Sequence, residues 1–306
     1  MTAATLSIVI PNYNGRELLE RCLASIHKNP PACPFDVVVV DNASSDGSAD
    51  AVRRLFPQVR LIANPDNRGF GPAANQGLRG AAAPYLFLLN SDTEVTPGAL
   101  DTLVQGMEQN RDVAVMAPEF TDGRGALIQM SWGWHSLFWG ELPQKFFSPK
   151  ALQKSAFRRW LVKRLQTRPK RTPIVCGAGL LLRRQALDEI GLLDERFVMY
   201  FEESDLCLRA WKNGWAVLFY PRAKVVHHLG KSSGETPGKL SLVYRQSQLY
   251  YYDKHGTALQ RRLVRLYLRL KFWRIVLYKI FPRLCSDPDY YSQMDAVLKG
   301  TTRVSL

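Results

Sequence analysis

The stretch FDVVVVDNASSDGS, residues 35–48, predicts a buried strand followed directly by the start of a helix. Its four consecutive valines do not alternate with polar residues, which is typical of a strand that is covered on both faces. The apolar run ends at Asp41, and Asp46 and Ser48 are possible caps of the helix DGSADAVRRLF. The stretch therefore indicates one strand–helix unit of a parallel sheet.

Similar units lie on both sides of this stretch. The segments LSIVIPNYN, VRLIANP and PYLFLLNSD predict three more strands, and VAVMAP predicts a fifth. GRELLERCLASIHK predicts an amphipathic helix after the first strand. The pattern loosens over residues 120–172, returns over residues 173–228, and is helical from about residue 235 onward. Apolar strands that alternate with helices predict an α/β fold with a sheet flanked by helices.

The overall composition is that of an ordinary soluble globular protein. Hydrophobic residues make up 46% of the 306 residues and charged residues 22%. No apolar run reaches the roughly 18 to 20 residues that a membrane-spanning helix needs. The five cysteines are scattered without a CxxC pair, so neither a zinc site nor a disulfide framework is indicated. We expect a reduced, cytoplasmic protein.

The net charge of +14 is concentrated in two segments. Residues 145–171 hold ten lysines and arginines and no acid, and residues 261–283 hold eight and no acid. Residues 258–285 mix these charges with Leu, Trp, Tyr and Phe, which is typical of an amphipathic helix on an anionic membrane surface. The alternative is a helix packed on the main domain with a solvated basic stripe. Nucleic-acid binding is not favoured, because no recognition motif accompanies the charge.

Polar residues follow the first four strands, at the sheet edge where ligands bind in such folds. Asp41 could accept hydrogen bonds from a nucleotide, or it could cap the next helix. In NRGFGPAANQG, Gly69 and Gly71 allow the backbone to approach a ligand closely, and a helix starting near Ala73 suits a phosphate. The loop has no GK[ST] and follows the third strand, so neither a P-loop nor a dinucleotide fold is favoured.

Three further groups carry candidate chemistry, each with a structural alternative. Asp92 could bind a divalent cation together with phosphates, or it could cap a turn. Glu202 and Glu203 in YFEESDLCLRAW could supply a general base beside two aromatic residues, or they could stabilise the helix dipole. The tandem His227 and His228 could ligate a metal or be structural.

Seven motifs in this order resemble the family 2 glycosyltransferases. They are SIVIPNYNG, VVVVDNASSDGS, NRGFGPAANQG, LLNSDTEV, GAGLLLRR, GLLDERFVMYFEESDLCLR and HHLGKSS. The resemblance covers roughly residues 5–255 and is greatest to the rhamnosyltransferase-like branch, which uses dTDP-sugars. It implies a GT-A (Rossmann-like) mixed sheet flanked by helices. Residues 1–235 would be the catalytic domain, with a nucleotide-sugar half to about residue 118, an acceptor half to residue 235, and a basic helical extension over residues 236–306.

The resemblance also implies site residues. The nucleotide-sugar-binding residues are Pro11, Asn12, Tyr13, Asn14, Asp41, Asn42, Asn67, Gly69, Phe70, Asn75, Asn90 and Ser91. Asp41 would contact the pyrimidine base, and Asn90-Ser91-Asp92 would occupy the place of the family's DxD motif. Asp92 and His227 would bind Mn²⁺ or Mg²⁺, with His228 as the fallback. Glu203 would be the catalytic base, with Glu202 beside it. The acceptor-binding residues are Gly177, Ala178, Asp205, Trp132 and Trp134.

The function implied is an inverting, metal-dependent transfer of rhamnose from dTDP-rhamnose to a glycan or a lipid-linked acceptor. The expected setting is bacterial polysaccharide or lipopolysaccharide synthesis, peripherally on the inner face of the cytoplasmic membrane. One alternative is a UDP-sugar donor carrying galactose, GlcNAc or a furanose. Another is a non-catalytic, membrane-associated binding protein. The chain has no QxxRW motif, which argues against a processive synthase.

Overall fold

The computed structural model describes residues 3–124, 126, 131–133, 154–228, 237–273, 288–300 and 304. The strands in chain order are β1 Leu6–Asn12, β2 Phe35–Asp41, β3 Arg60–Ala63, β4 Tyr85–Leu89, β5 Thr93–Val95, β6 Val113–Thr121, β7 Trp132–Gly133, β8 Lys170–Arg171, β9 Ile174–Val175, β10 Gly179–Arg183 and β11 Ala216–His227. The helices are α1 Arg16–Lys28, α2 Ser48–Leu55, α3 Phe70–Gly80, α4 Ala99–Gln109, α5 Ala156–Leu165, α6 Arg184–Ile190, α7 Glu202–Lys212, α8 Pro237–His255, α9 Ala258–Lys271 and α10 Pro288–Lys299.

The main sheet has the order β3-β2-β1-β4-β10-β6-β11-β5, and β8 pairs with β11 outside this order. The first four strands are parallel, as the sequence predicts. Strand β10 lies between β4 and β6 and is antiparallel to both, which makes the sheet mixed. The α/β fold class with helices flanking a mixed sheet is confirmed.

Strand β5 was not predicted, and it positions the candidate site. It pairs antiparallel with the end of β11, with Thr93 opposite His227. Glu94 lies in this strand, opposite Val226. Its carboxylate lies 2.5 Å from an Arg21 nitrogen and 2.7 Å from His228 Nε2, and these contacts hold it in an extended segment. The pairing brings Asp92 to the end of β11.

The apolar core lies on both faces of the sheet, because side chains alternate along each strand. Ile8 and Ile10 belong to one buried cluster, whereas Val9 belongs to another. A third cluster is formed mostly by α8, α9 and α10, and it includes Phe197 and Phe201 from the loop before α7. The C-terminal helices therefore share a core with the loop that leads into α7.

The second basic segment is described only in part. Helix α9 packs through Val264 and Leu268, and its exposed side carries Leu259, Leu266 and Leu270. The remainder of the predicted membrane-surface segment, residues 274–285, lies outside the described residues. Among the helices that the structure describes, none is both long and apolar enough to cross a bilayer.

Candidate active site

A cavity of about 350 Å³ lies beyond the carboxyl ends of β1, β2 and β4. Fifteen residues that the sequence predicts as site residues line it: Pro11, Asn12, Tyr13, Asn42, Asn67, Gly69, Phe70, Asn90, Ser91, Asp92, Gly177, Ala178, Glu202, Glu203 and His227. The wall also includes Ala73, from the predicted loop NRGFGPAANQG, and four residues that the sequence did not predict as site residues: Cys176, Met199, Tyr200 and Leu240. The cavity is therefore built from the parallel half of the sheet, from the start of α7 and from α8.

Asn42 joins the loops that follow β2 and β3. Its side-chain nitrogen donates to Asn67 Oδ1 at 2.6 Å and to the Gly69 carbonyl at 3.2 Å. Its side-chain oxygen accepts from Asn64 Nδ2 at 3.2 Å and from the Arg68 amide at 3.1 Å. Gly69 adopts φ +85°, a conformation that side chains disfavour. These bonds fix the shape of the wall on this side.

Asp41 lies behind the cavity wall. Its carboxylate accepts from Asn12 Nδ2 at 3.1 Å and from the Ser44 amide at 3.0 Å. Asn14 binds the same turn, since its amide donates to Ser44 Oγ and its side chain accepts from Ser45. The prediction that Asp41 and Asn14 line the donor pocket is therefore corrected: they hold the loop, and Asn12 reaches the cavity.

Three buried oxygen atoms on the wall have no hydrogen-bond partner among the described residues. They are Asn12 Oδ1, Asn90 Oδ1 and Glu202 Oε2. Buried polar atoms in folded proteins are nearly always paired, with protein groups, water or a ligand. Three such atoms on one cavity wall indicate a site for a polar or charged ligand.

Asp92 and His227 lie together at the edge of this cavity. Asp92 Oδ1 is 3.3 Å from His227 Nε2, and the aspartate is only 2% exposed. The His228 ring faces Glu94 instead, while its backbone amide donates to the Asp92 carbonyl at 2.9 Å. Within the described residues, no group of three or more His, Cys, Asp or Glu side chains converges.

These residues fit a divalent cation that keeps positions open for phosphate oxygens. Asp92 and His227 offer one carboxylate and one imidazole, and the Asn90 side-chain oxygen lies on the same wall. Mn²⁺ and Mg²⁺ accept oxygen ligands and are commonly held by few protein groups together with substrate phosphates. Of the two tandem histidines, His227 is the one that lines the cavity, beside Asp92.

The loop that carries the two glutamates has an unusual backbone. Tyr200 and Phe201 both adopt left-handed conformations, with φ 69° and φ 70°. Such a conformation costs about 1 to 3 kcal/mol for a residue other than glycine, and it persists only where surrounding contacts impose it. The strained turn directly precedes Glu202 and Glu203, and it sets the direction in which α7 begins.

Helix α8 supplies the contacts that impose this turn. Ser247 Oγ donates to the Met199 carbonyl at 2.7 Å. The Tyr244 ring lies 5.5 Å from that of Tyr200 and 5.1 Å from that of Phe201, centroid to centroid. A residue of α8, Leu240, also lines the cavity. The C-terminal helices therefore form part of the site.

Burial raises the pKa of both Glu202 and Glu203. The increase is larger for Glu202, because the charge of Glu203 adds to the effect of burial. For Glu203, backbone hydrogen bonds at the start of α7 lower the pKa and offset part of the increase. Both carboxylates are therefore more basic than that of an exposed glutamate, and Glu203, which lines the cavity beside Gly177, can accept a proton.

Gly177 provides the space that Glu203 occupies. A Cβ atom at Gly177 would lie 3.3 Å from Glu203 Cβ and 3.4 Å from its Cγ, which is closer than side chains normally pack. Gly177 and Ala178 both line the cavity, and their contact with the acceptor stays a prediction. The absence of a side chain at Gly177 therefore helps to fix the position of the Glu203 carboxylate.

Asp205 does not lie where the sequence analysis placed it. It is fully buried, and its carboxylate lies 2.8 Å from Arg209 Nε, 2.5 Å from Lys254 Nζ and 2.7 Å from His255 Nε2. Although burial acts to raise it, the hydrogen bond from His255 and the charge of Arg209 leave the pKa of Asp205 below its ordinary value. The predicted acceptor contact was wrong, because the carboxylate joins α7 to α8.

Two other predicted site residues also have structural roles. Asn75 is buried, and its side chain exchanges hydrogen bonds with the backbone of Leu193 at 2.8 and 3.0 Å, so it does not line the donor pocket. Trp132 is buried in the core, with Lys170 Nζ 3.8 Å from the centre of its ring, and it does not line the cavity. Trp134 lies outside the described residues.

Sequence reasoning missed Met199 and Leu240 because neither stands in a polar motif. Tyr200 drew attention only as an aromatic neighbour of the glutamates. Leu240 belongs to α8, which follows the acidic motif by more than thirty residues in the sequence. A signal that could have identified this helix is its run of tyrosines, YYY at residues 250–252, of which Tyr251 and Tyr252 are fully buried.

Comparison with known proteins finds a family model and a relative that match this sequence. The model of the family described as glycosyl transferase family 2 matches residues 7–191. An N-acetylglucosaminyl-diphospho-decaprenol L-rhamnosyltransferase of Mycobacterium tuberculosis is 29% identical over 265 residues, which cover 82% of this chain and 85% of the relative.

Two solved structures resemble the fold. GalNAc-T7 with UDP, GalNAc and Mn²⁺ has a TM-score of 0.57 at 20% identity, and the match covers 82% of this chain and 48% of that chain. The mannosyltransferase PcManGT of Pyrobaculum calidifontis, with GDP-Man and Mn²⁺, has a TM-score of 0.56 at 17% identity. The match covers 98% of this chain and 86% of that chain. At these identities the likeness shows the fold alone.

Proposed function

Because the chain belongs to glycosyl transferase family 2 and has a GT-A fold, it is a glycosyltransferase, and we propose that it transfers rhamnose from dTDP-rhamnose with inversion. The acceptor that we propose is a lipid-linked glycan in the synthesis of a bacterial cell-surface polysaccharide. The observation that carries the proposal is that one cavity is lined both by Glu203 and by the three oxygen atoms without a partner among the described residues, on Asn12, Asn90 and Glu202. The rhamnosyltransferase relative supports the choice of sugar and acceptor.

The donor would occupy the part of the cavity next to β1, β2 and β4. The side-chain oxygen of Asn12 and the groups held by Asn42 would contact the nucleotide, and Asp41 would act through Asn12. The diphosphate would lie near Asn90 and Asp92, next to His227. When bound there by Asp92 and His227, a divalent cation would neutralise charge on the diphosphate leaving group.

Glu203 is the proposed base. Its carboxylate would accept the proton of an acceptor hydroxyl while that oxygen forms a bond to the anomeric carbon. The bond from this carbon to the diphosphate breaks on the opposite side, and the diphosphate leaves with the electron pair. Burial favours this role, because it raises the pKa of the carboxyl group and with it the basicity of the carboxylate.

The substitution Glu203→Gln tests this assignment. We expect transfer to fall by about 10²- to 10⁴-fold, the range that general bases contribute, while donor affinity changes little. The matched control is Glu202→Gln in the same turn, which should retain most of the transfer because it leaves the Glu203 carboxylate in place. Isothermal calorimetry and a sugar-transfer assay measure the two quantities. Wild-type turnover by Glu203→Gln, or loss only in the Glu202 variant, would contradict the assignment.

The pH profile of the wild-type enzyme provides a second measurement. The base must be deprotonated, so transfer is lost as pH falls through the pKa of Glu203. Because burial raises this pKa, the acidic limb should lie above the ordinary glutamate value of 4.5. An acidic limb at or below that value would show that the base is a solvated carboxyl group and not Glu203.

The alternative donors are UDP-galactose, UDP-GlcNAc and UDP-furanoses. A thermal-shift panel of these nucleotide sugars and dTDP-rhamnose, with and without Mn²⁺, separates them. We expect the largest shift with dTDP-rhamnose and a further increase with Mn²⁺ that Asp92→Asn removes. A larger shift with a UDP-sugar would replace the proposed donor, and an unchanged response in Asp92→Asn would remove this residue from the cation site.

We also propose the division into domains and the location. Residues 1–235 would form the catalytic domain, and residues 236–306 would form an extension that completes the cavity through Leu240 of α8. An acceptor with a lipid anchor would hold the enzyme at the inner face of the cytoplasmic membrane. The net charge of +14 supports binding to an anionic membrane.

A further inference from the structure

Helix α5 presents aromatic side chains to solvent. Phe157 is 63% exposed and Trp160 is 55% exposed, and their rings stack with centroids 5.9 Å apart. Val162 is the only residue of α5 that is buried. Large aromatic groups that lie together on the surface are unusual in a monomeric protein and commonly mark a site of interaction.

The surroundings of this aromatic pair are basic. Residues 154–171 contain eight lysines and arginines and no acid. Arg159, Lys163 and Arg164 are exposed, and the Arg164 guanidinium lies 5.8 Å from the centre of the Trp160 ring. Exposed aromatic groups with cations and without acids are typical of a helix that lies in the interface of an anionic bilayer. This complementarity favours lipid over an acidic protein, which would leave the aromatic pair without an apolar environment.

A short series of contacts connects α5 to the rim of the active cavity. At the end of the helix, the buried Gln166 accepts a hydrogen bond from the Ser131 amide at 2.9 Å. Ser131 Oγ accepts from the Phe120 amide at 3.1 Å, and the Phe120 ring lies 5.6 Å from the His227 ring. Trp160 lies six residues before Gln166, a distance of about 9 Å along the helix axis.

We propose that α5 lies on the surface of an anionic lipid bilayer, with Phe157 and Trp160 inserted at the boundary between headgroups and acyl chains. Arg159, Lys163 and Arg164 face the lipid phosphates. In this orientation the cavity opens next to the membrane, and a lipid-linked acceptor reaches Glu203 while its anchor stays in the bilayer. The identity of the acceptor rests on the proposed function, whereas the binding of α5 to lipid does not.

Vesicle flotation of the full chain tests the proposal. The vesicles contain phosphatidylcholine alone or phosphatidylcholine with phosphatidylglycerol. Wild-type protein should float with the anionic vesicles. The double variant Phe157→Ala with Trp160→Ala should bind them at least about tenfold more weakly, because it loses the apolar area of two aromatic rings at the interface. The matched control is Leu259→Ala with Leu266→Ala, which removes two exposed apolar side chains from the basic helix α9 and should retain binding.

Three results would overturn the proposal. They are a wild-type protein that does not float, a double variant that floats as the wild type does, and a loss of binding only in the α9 control. Transfer to a short, soluble acceptor separates this proposal from the proposed function. The α5 variant should retain that transfer, because the aromatic pair lies outside the cavity. If neither the wild type nor the variants transfer sugar while flotation depends on Phe157 and Trp160, the proposed function is wrong and the binding of α5 to lipid is supported.

Discussion

The two sides of the cavity are stabilised in different ways. On the proposed donor side, hydrogen bonds of Asn42 and Asn12 connect the loops that follow β1, β2 and β3, and a glycine, Gly69, has a positive φ. On the proposed base side, Tyr200 and Phe201 have positive φ angles without being glycine, and α8 holds them from more than forty residues away.

This difference shows which side depends on the C-terminal helices. The proposed donor side is held mostly by loops of the parallel half of the sheet, whereas the loop before the proposed base, Glu203, is held by α8. Substitutions on the two sides should therefore have separable effects. Those at the α7–α8 junction should lower stability and transfer, and those around Asn42 should lower donor affinity.

The largest effect is expected for Asp205→Ala. This substitution leaves Arg209, Lys254 and His255 without the carboxylate that they share, and removing one partner of a buried ion pair costs about 3 to 5 kcal/mol. Urea unfolding measures the free energy of unfolding. The control Asp253→Ala breaks a more exposed pair with Arg265 and should cost about 1 kcal/mol or less.

The Asp205→Ala variant also tests whether the two sides of the cavity are independent. Protein that remains folded should bind the donor with nearly wild-type affinity, because Asp205 makes no contact with the donor side. A loss of donor affinity as large as the loss of transfer would show that the two sides form one cooperative unit.

An intermediate effect is expected for Asn42→Ala. The change leaves the polar groups of Asn64, Asn67 and the loop backbone without their shared partner. Unsatisfied buried groups cost about 1 to 3 kcal/mol, so donor affinity should fall by about tenfold or more. Calorimetry with the donor measures this change, and the acidic limb of the transfer profile should not move. Asn110→Ala, at the end of α4, is a control that should leave donor affinity unchanged.

The smallest effect is expected for Ser247→Ala. It removes one hydrogen bond, to the Met199 carbonyl, at a cost of about 1 kcal/mol. Relaxation of the strained turn at Tyr200 and Phe201 should lower kcat by several fold and shift the acidic limb of the pH profile of transfer. The dissociation constant of the donor should not change. Ser247→Thr retains the hydroxyl and should restore the profile, and Ser241→Ala tests a serine of the same helix that contacts Tyr290. An unchanged pH profile in Ser247→Ala would mean that the turn keeps its conformation without this bond.

Much of the parallel half could be predicted because each strand contains its own signal. The apolar run that ends at Asp41 needs no distant partner to be recognised as a strand. Asp92 and His227 were predicted from separate motifs, and the structure places their side chains 3.3 Å apart. These successes depend on the rule that the carboxyl ends of parallel strands meet at one edge.

The failures concern residues whose role is set by distant partners. Strand β5 has only three residues, which is too short for any periodicity. An acid in the first turn of a helix has the same local pattern whether it binds an acceptor or forms an ion pair. Two of the three partners of Asp205, Lys254 and His255, lie about fifty residues later in the sequence. Trp132 is predicted equally well as a sugar contact or as a core residue until its surroundings are known.

The tandem histidines lie where β11 pairs with β5, and this position determines what the loss of one residue from β11 would do. Side chains alternate between the two faces of a strand, so a slip of one residue exchanges the faces that they occupy. Strand β11 already has two irregularities in its pairing with β6. If one residue were lost before the histidines, His228 would move to the place that His227 now occupies opposite Thr93, and an imidazole would still face Asp92. At the proposed cation site, the second histidine would therefore keep an imidazole beside Asp92 after the loss of one residue.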